Sequence, residues 1–323
     1  MGDNNIDRRE FLKRVTNAGI AIGAVTGGAF LLHNRDEVIS AGESIAKVKD
    51  FRITGDVLPQ MAIAKGDSPA RIVKAAVEGM GGMKRFVSRG DVVVIKPNIG
   101  WDRAPEQAAN TNPEVVAETV RLCYDAGAKK VIVTDMSCND PRRCFFRSGI
   151  GKSAKDAGAD VQLPKDYKFR KIAIKGEVLK VWPVYTVILE ADKVINIPIA
   201  KHHNHSTLTL GMKNWYGLLG GRRRDLHQNI HMSIADLAGF IRPTLTIIDA
   251  YRILIKNGPQ GGSIRDVKMM NTVAVSTDPV AVDAFAATLF DKKPEEIGYI
   301  VEAYKRGLGN INFTELQPLI ISA

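Results

Sequence analysis

The stretch DVVVIKPNIGWDRAPEQAANTNPEVVAETVRLCYDAGAKKVIVTDM (residues 91–136) decides the fold class. It opens on an unbroken apolar run, 92–95, that stops at Lys96-Pro97-Asn98. A short apolar run ended by proline reads as a buried strand with a sharp exit, because proline brings no N–H to a ladder. Asn112 and Pro113 then stand where a helix takes its cap and first residue, and Gly127 stands where a helix stops. The run at 130–134 is a second strand. Strand, helix and strand in immediate succession predict two parallel neighbours joined by a crossover helix.

The same alternation extends outward. MAIAKG (61–66) reads as a strand, and Asp67-Ser68-Pro69 opens a helix that should run to about Phe86. A helix around 147–157 leads to ADVQLP (159–164), and 168–185 alternates about a Lys-Gly-Glu turn as a hairpin does. DKVINIPIA (192–200) and TLTIIDAYRIL (244–254) are buried strands on either side of a helical stretch at 229–241. NGPQGG (257–262) is a tight loop, NTVAVSTD (271–278) the last clear strand, and two helical stretches close the chain. The expectation is an α/β fold: a mainly parallel sheet with helices on both faces and a hairpin-containing insertion near the middle, in one domain over 47–323.

Residues 1–46 read differently. DRREFLKR (7–14) puts Arg8 and Arg9 ahead of a Gly/Ala-rich apolar stretch, and Ser44-Ile45-Ala46 offers small residues for cleavage. This pattern predicts a signal for the twin-arginine export machinery. The body would then sit in the periplasm or on the outer face of the membrane, with the leader cleaved or kept as an anchor. The chain carries a formal charge of +10. Its first 46 residues hold five basic and six acidic side chains, so the positive charge belongs to the body. Such a body attracts anions. Export, and the lack of any recognition motif, exclude nucleic acid and leave an anionic small molecule, with a weak membrane-surface contact as a second attraction. Three cysteines without a CxxC pair hold no iron–sulfur cluster in the usual way. Cys138 and Cys144 are either a disulfide or two thiols, and Cys123 is a buried helical residue.

Ligands of open α/β sheets bind beyond the carboxyl ends of the strands. Each predicted exit here ends in groups that bind metals, anions or protons: Lys96 and Asn98, Asp135 and Ser137, Lys201 and the histidines after it, Asp249, and Thr277 and Asp278. Asp278 before Pro279 also suits a plain helix cap. Five of the six histidines fall in 201–231. His203, His205, His227 and His231 are candidate ligands of a divalent transition metal, since imidazole is the commonest metal ligand. His203 and His205 share one face of an extended segment, whereas His202 points to the other. The HxxxH pair at 227–231 shares a face if the following helix reaches back that far. His202 and Asp249 are candidates for proton transfer. Lys96, Asn98, Lys213, Asn214, Arg222, Arg223, Gly261 and Gly262 are candidates for holding an anionic substrate or cofactor tail. Trp215 and Tyr216 either stack on a ligand or pack beneath the loop.

The pieces VVVIKPN (92–98), GMKNWYGLLGG (211–221), NGPQGG (257–262) and STDPVAVDAFAA (276–287), in that order, resemble the domain of unknown function 362 family. The resemblance implies that the Lys-Pro-Asn turn, the Lys213-Asn214 pair and the Asp278-to-Asp283 helix belong together. It supplies no reaction. Some members carry a ferredoxin-like cluster domain, and this chain lacks its cysteines. The convergence of acids, amides, lysines and imidazoles favours an exported enzyme using a metal or metal-containing cofactor and an anionic substrate. Its rivals are a non-catalytic metal or anion carrier and an accessory subunit of an exported redox complex.

Overall fold

Strand β1 (Met61–Lys65) is the first element of the described residues and is followed by helix α1 (Pro69–Gly79), β2 (Val92–Pro97), α2 (Pro113–Asp125) and β3 (Lys130–Val133). The structure is a computed structural model that describes residues 48–323 except 54, 56 and 57. The expected export signal over 1–46 lies outside the described residues. Two short helices, α3 (Pro141–Arg147) and α4 (Ile150–Asp156), lead to β4 (Asp160–Val161). Strands β5 (Phe169–Ala173) and β6 (Val181–Tyr185) form a separate two-stranded antiparallel sheet, which is the hairpin read from the sequence. Then come β7 (Lys193–Ile197), β8 (Ile199–His203), β9 (Thr207–Thr209), α5 (Gly211–Asn214), α6 (Ile230–Phe240) and β10 (Leu245–Leu254). Strand β11 (Val267–Ser276), α7 (Pro279–Thr288), α8 (Gly298–Lys305) and β12 (Leu319–Ser322) complete it.

The main sheet has the order β12-β1-β11-β10-β7-β2-β3-β4, with β8 and β9 attached beside β10. From β10 to β4 every pair along that path is parallel; β11 runs against both of its neighbours, and β9 against β8. The fold is therefore α/β with mostly parallel strands. The two-residue period of the strands divides the core. Met61, Ile63, Val94, Ile132, Val194, Ile248 and Ala274 face one layer with α6, α7 and α8. Ala62, Val93, Ile95, Val131, Val133, Ile195, Ile247 and Val275 face the other with α1, α2 and α4. A strand that buries both faces has to be apolar throughout, which is why these runs show no polar alternation.

Helix starts follow their caps. Ser68 accepts from Arg71 N–H, Asn112 from Glu114 N–H, and Asp278 from Val280 and Ala281 N–H, each just ahead of a proline. The plain-cap reading of Asp278 thus holds. Helix α1 stops well short of Phe86, because Gly81 and Gly82 adopt φ of +93° and +80° and turn the chain. The helix expected around 147–157 is α4, and a second short helix, α3, precedes it across Gly149, whose φ is +73°. Pro198 splits the strand expected at 192–200 into β7 and β8. Among the described residues no helix is long and apolar enough to cross a membrane.

Candidate functional site

From β2 the chain builds outward through β3 to β4, then returns to lay β7 and β10 on the other side of β2. The order reverses between β2 and β7, and a crevice opens beyond strand ends at such a point. The exits of β2, β3 and β8 meet the 213–227 segment there around a cavity of about 730 Å³. That size suits a drug-sized small molecule.

A ladder of polar side chains crosses the floor. Lys96, fully buried, is ion-paired to Asp135 at 2.7 Å and donates to Pro97 O and Asn214 Oδ1, both at 2.8 Å. Burial pulls the Lys96 ammonium below its usual range, and Asp135 pulls against that. Asp135 also accepts from Ile99 N–H at 2.6 Å. Asn214 accepts from Asn98 Nδ2 at 3.0 Å and donates to Asn196 Oδ1 at 2.8 Å. Lys201 donates to Asn98 Oδ1 at 3.1 Å and to Ala109 O. Burial lowers the Lys201 ammonium to about 7. Lys213 lies with its Nζ 4.4 Å from the centre of the Tyr216 ring, and burial lowers it to about 8. Lys96, Asn98, Lys213 and Asn214 therefore come together as expected. Lys201 and Asp135, two strand-exit residues outside the candidate ligand sets, complete them.

The three arginines reach the cavity differently. Arg222 and Arg224 are exposed at its rim. Arg223 donates to Met136 O at 2.8 Å and Ser137 O at 2.7 Å. Its fork holds the loop after β3, so it contributes charge to the cavity more than a free donor. Trp215 is core and Tyr216 lines the cavity.

Other candidates lie elsewhere. His202 projects from the opposite side of β8 and its Nδ1 accepts from Gly258 N–H at 3.2 Å. Asp249 is buried inside β10, where it accepts from Asn112 N–H at 2.7 Å and Tyr251 N–H at 3.1 Å. Burial raises its carboxyl to about 6, but the two backbone donors occupy it as a brace for the start of α2. Neither residue lines the cavity. Gly261 and Gly262 offer carbonyls to Arg103 and Gln107 and do not line it either. The cysteines are free thiols, with Cys138 at the cavity and Cys144 buried.

The histidines divide into a trio and two outliers. Helix α6 begins at Ile230, so His227 and His231 share no helix face. His231 stacks on Tyr299 at 6.3 Å, away from the cavity. His203, His205 and His227 line it with ring centroids 5.7 to 6.0 Å apart. A shared metal needs an unprotonated nitrogen from each ring. His203 has none to give. Its Nδ1 accepts from His205 N–H at 3.1 Å and Ser206 N–H at 3.3 Å, which leaves the proton on Nε2. Among the described residues no group of three or more His, Cys, Asp or Glu side chains is placed to hold a metal ion. The expected divalent metal on His203, His205, His227 and His231 does not fit this donor geometry.

His203 suits a neutral hydrogen-bond donor instead. Burial, then the nearby Lys213 and Lys201 charges, lower its pKa to about 2. The unfolded chain takes up this proton below about 6.5 and the folded chain does not, so wild-type stability is lost as pH falls through that range. The stability difference between wild type and His203→Gln is expected to move against wild type by about 1.4 kcal/mol per pH unit below 6.5. Denaturant unfolding at about pH 7 and pH 5 checks this. An unchanged difference would mean that His203 titrates normally in the fold.

Fold and site together define an α/β protein with a basic, switch-point cavity. The chain belongs to the family described as Domain of unknown function (DUF362), whose pattern matches residues 93–288. It is 26% identical over 245 residues to Thylakoid-associated protein sll1697 of Synechocystis sp., covering 73% of this chain and 74% of that protein. Among solved structures it is similar to the lactate racemase apoprotein from Thermoanaerobacterium thermosaccharolyticum, at 14% identity and a TM-score of 0.46. It is also similar to a structural-genomics target from Thermotoga maritima, at 10% identity and a TM-score of 0.39. These alignments cover 73% and 75% of this chain but only 57% and 60% of those chains.

Proposed function

We propose that the chain is an exported enzyme that binds an anionic small molecule in the switch-point cavity and moves protons on it. One observation carries this reading. Three lysines, 96, 201 and 213, are 0%, 1% and 7% exposed at one cavity, and the one buried carboxylate among its lining residues, Asp135, is taken by Lys96. Taking a charge out of water without a partner costs several kcal/mol. A bound anion supplies that partner. The Thr209 hydroxyl, which also lines the cavity, is buried without a hydrogen-bond partner and is a further polar contact.

The proton-transfer half rests on Lys201 and His203. An amine that titrates at about 7 is matched to general acid and base work near neutrality. The His203 Nε2–H would orient the ligand without changing charge. A carrier needs the anion site but no such titrating group, so Lys201 is the residue that separates the two readings.

Inorganic phosphate is expected to raise the thermal midpoint of wild type beyond the effect of chloride at equal ionic strength. At about 100 times its dissociation constant the gain is about 2.7 kcal/mol. Lys213→Ala should lose most of this response. Incubation in D₂O with a panel of carboxylates and phosphate esters bearing acidic C–H bonds, followed by NMR, tests turnover. Deuterium uptake that Lys201→Met abolishes supports the enzyme. Anion stabilisation without any uptake leaves a carrier, and no anion stabilisation rejects both.

A further inference from the structure

The three cavity lysines have different partners, and the difference assigns them different work. Lys96 is ion-paired and doubly hydrogen-bonded. Lys201 donates to two carbonyl-type oxygens. Lys213 has neither among the described residues. It is 7% exposed, it lines the cavity, and its Nζ lies 4.4 Å from the centre of the Tyr216 ring. A buried ammonium without an acceptor is unstable, whereas a buried amine is not. The ring holds the side chain in place without accepting a proton from it or donating one to it. Burial, opposed by Cys138 and reinforced by the Arg223 charge, brings its titration to about 8, so about a tenth is free amine at pH 7.

We propose that Lys213 is a nucleophilic amine that forms a reversible imine with an aldehyde or ketone carrying an anionic group. The proposal rests on the anion-binding reading of the cavity and adds the substrate class. The amine lone pair forms a C–N bond to the carbonyl carbon, and the C=O π pair moves to oxygen. Oxygen gains a proton as nitrogen loses one. The carbinolamine hydroxyl then takes a second proton and leaves as water while the nitrogen lone pair closes the C=N bond, and the iminium is neutralised by loss of its N–H proton. One water is released and nothing is oxidised or reduced. The His203 Nε2–H and the Lys201 ammonium line the same cavity and can donate to the carbonyl oxygen and the departing hydroxyl. The surrounding positive charge holds the anionic group and disfavours protonation of the attacking nitrogen.

Pyridoxal 5′-phosphate, an anionic aldehyde, is the probe. The full chain is treated with substoichiometric reagent near neutral pH, reduced with borohydride and mapped by peptide mass spectrometry. An amine titrating at about 8 is about 300-fold more abundant as free base there than a surface lysine. Lys201 titrates lower still, but its amine is already engaged with Asn98 Oδ1 and Ala109 O, so Lys213 is expected to carry most of the label. Lys213→Arg should lose this selective label while keeping phosphate stabilisation, because the charge remains. Excess phosphate should protect Lys213 in wild type. Label scattered over surface lysines, or concentrated on Lys201, overturns the proposal. The phosphate response of wild type then tells whether the anion reading fails with it or survives alone. Lys213→Met, which removes both amine and charge, must lose label and phosphate response together, and a selective label that persists in it also overturns the assignment.

Discussion

Gly217→Ala is expected to lower the unfolding free energy by about 3–5 kcal/mol and to remove the phosphate response of the cavity. A Cβ at this position would lie 1.8 Å from Asp135 Oδ1, 2.6 Å from Lys96 Nζ and 2.7 Å from Lys96 Cε. No rotamer change relieves all three contacts, because both side chains are buried and held by further hydrogen bonds. The loop cannot retreat freely either. Gly217 O accepts from Met136 N–H at 2.8 Å, and Arg223 ties the same two segments together. The methyl group therefore separates the ion pair or displaces the loop that carries Lys213. Overpacking alone costs about 1–3 kcal/mol, and parting a buried ion pair costs about 3–5 kcal/mol. Denaturant unfolding and phosphate-dependent melting measure the two halves. A loss below about 1 kcal/mol with an intact phosphate response would mean that 215–218 does not press on the ion pair as described.

Glycine at 217 illustrates what sequence could and could not say. Its φ is not positive, so no turn signal marks it, and only the close approach of two distant strand exits requires it. The sheet was more legible. Apolar runs ended by Pro97, by polar residues after Val133, and by Pro198 after Ile197 marked the parallel strands, because a strand buried on both faces is apolar throughout. The antiparallel strand β11 and the short edge strand β12 carry no local mark of direction or pairing. The strand-exit rule brought Lys96, Asn98, Asp135, Lys201 and His203 to one place. It could not choose the parity that sends His203 into the cavity and His202 to Gly258. It also misjudged Asp249, which sits within a ten-residue strand instead of after one. His231 was grouped with His227 on an assumed helix, and the five-residue 3-10 turn at Arg223–His227 broke that spacing.

Asp135→Asn is expected to cost about 3 kcal/mol although it changes one atom. An asparagine keeps an oxygen for the Ile99 N–H but removes the counter-charge from Lys96, which is fully buried. An uncompensated buried ammonium is the large term, so the loss should depend on Lys96 being present. Lys96→Met on its own leaves Asp135 charged and buried, and should also be costly. The double variant removes both charges, and its cost is expected to fall short of the sum of the singles by about 2 kcal/mol. Additive losses would mean that the 2.7 Å contact contributes packing and little charge pairing. The same three proteins separate the role of Lys96 from that of Lys213. Lys96 already has its anion within the fold, whereas Lys213 has none among the described residues. The double variant should therefore still be stabilised by phosphate and still be labelled at Lys213. In Asp135→Asn alone, phosphate should stabilise more than in wild type, because a second buried lysine now lacks a partner. That reversal, a weaker fold with a larger ligand response, follows only if the cavity is a cationic site completed by an anion.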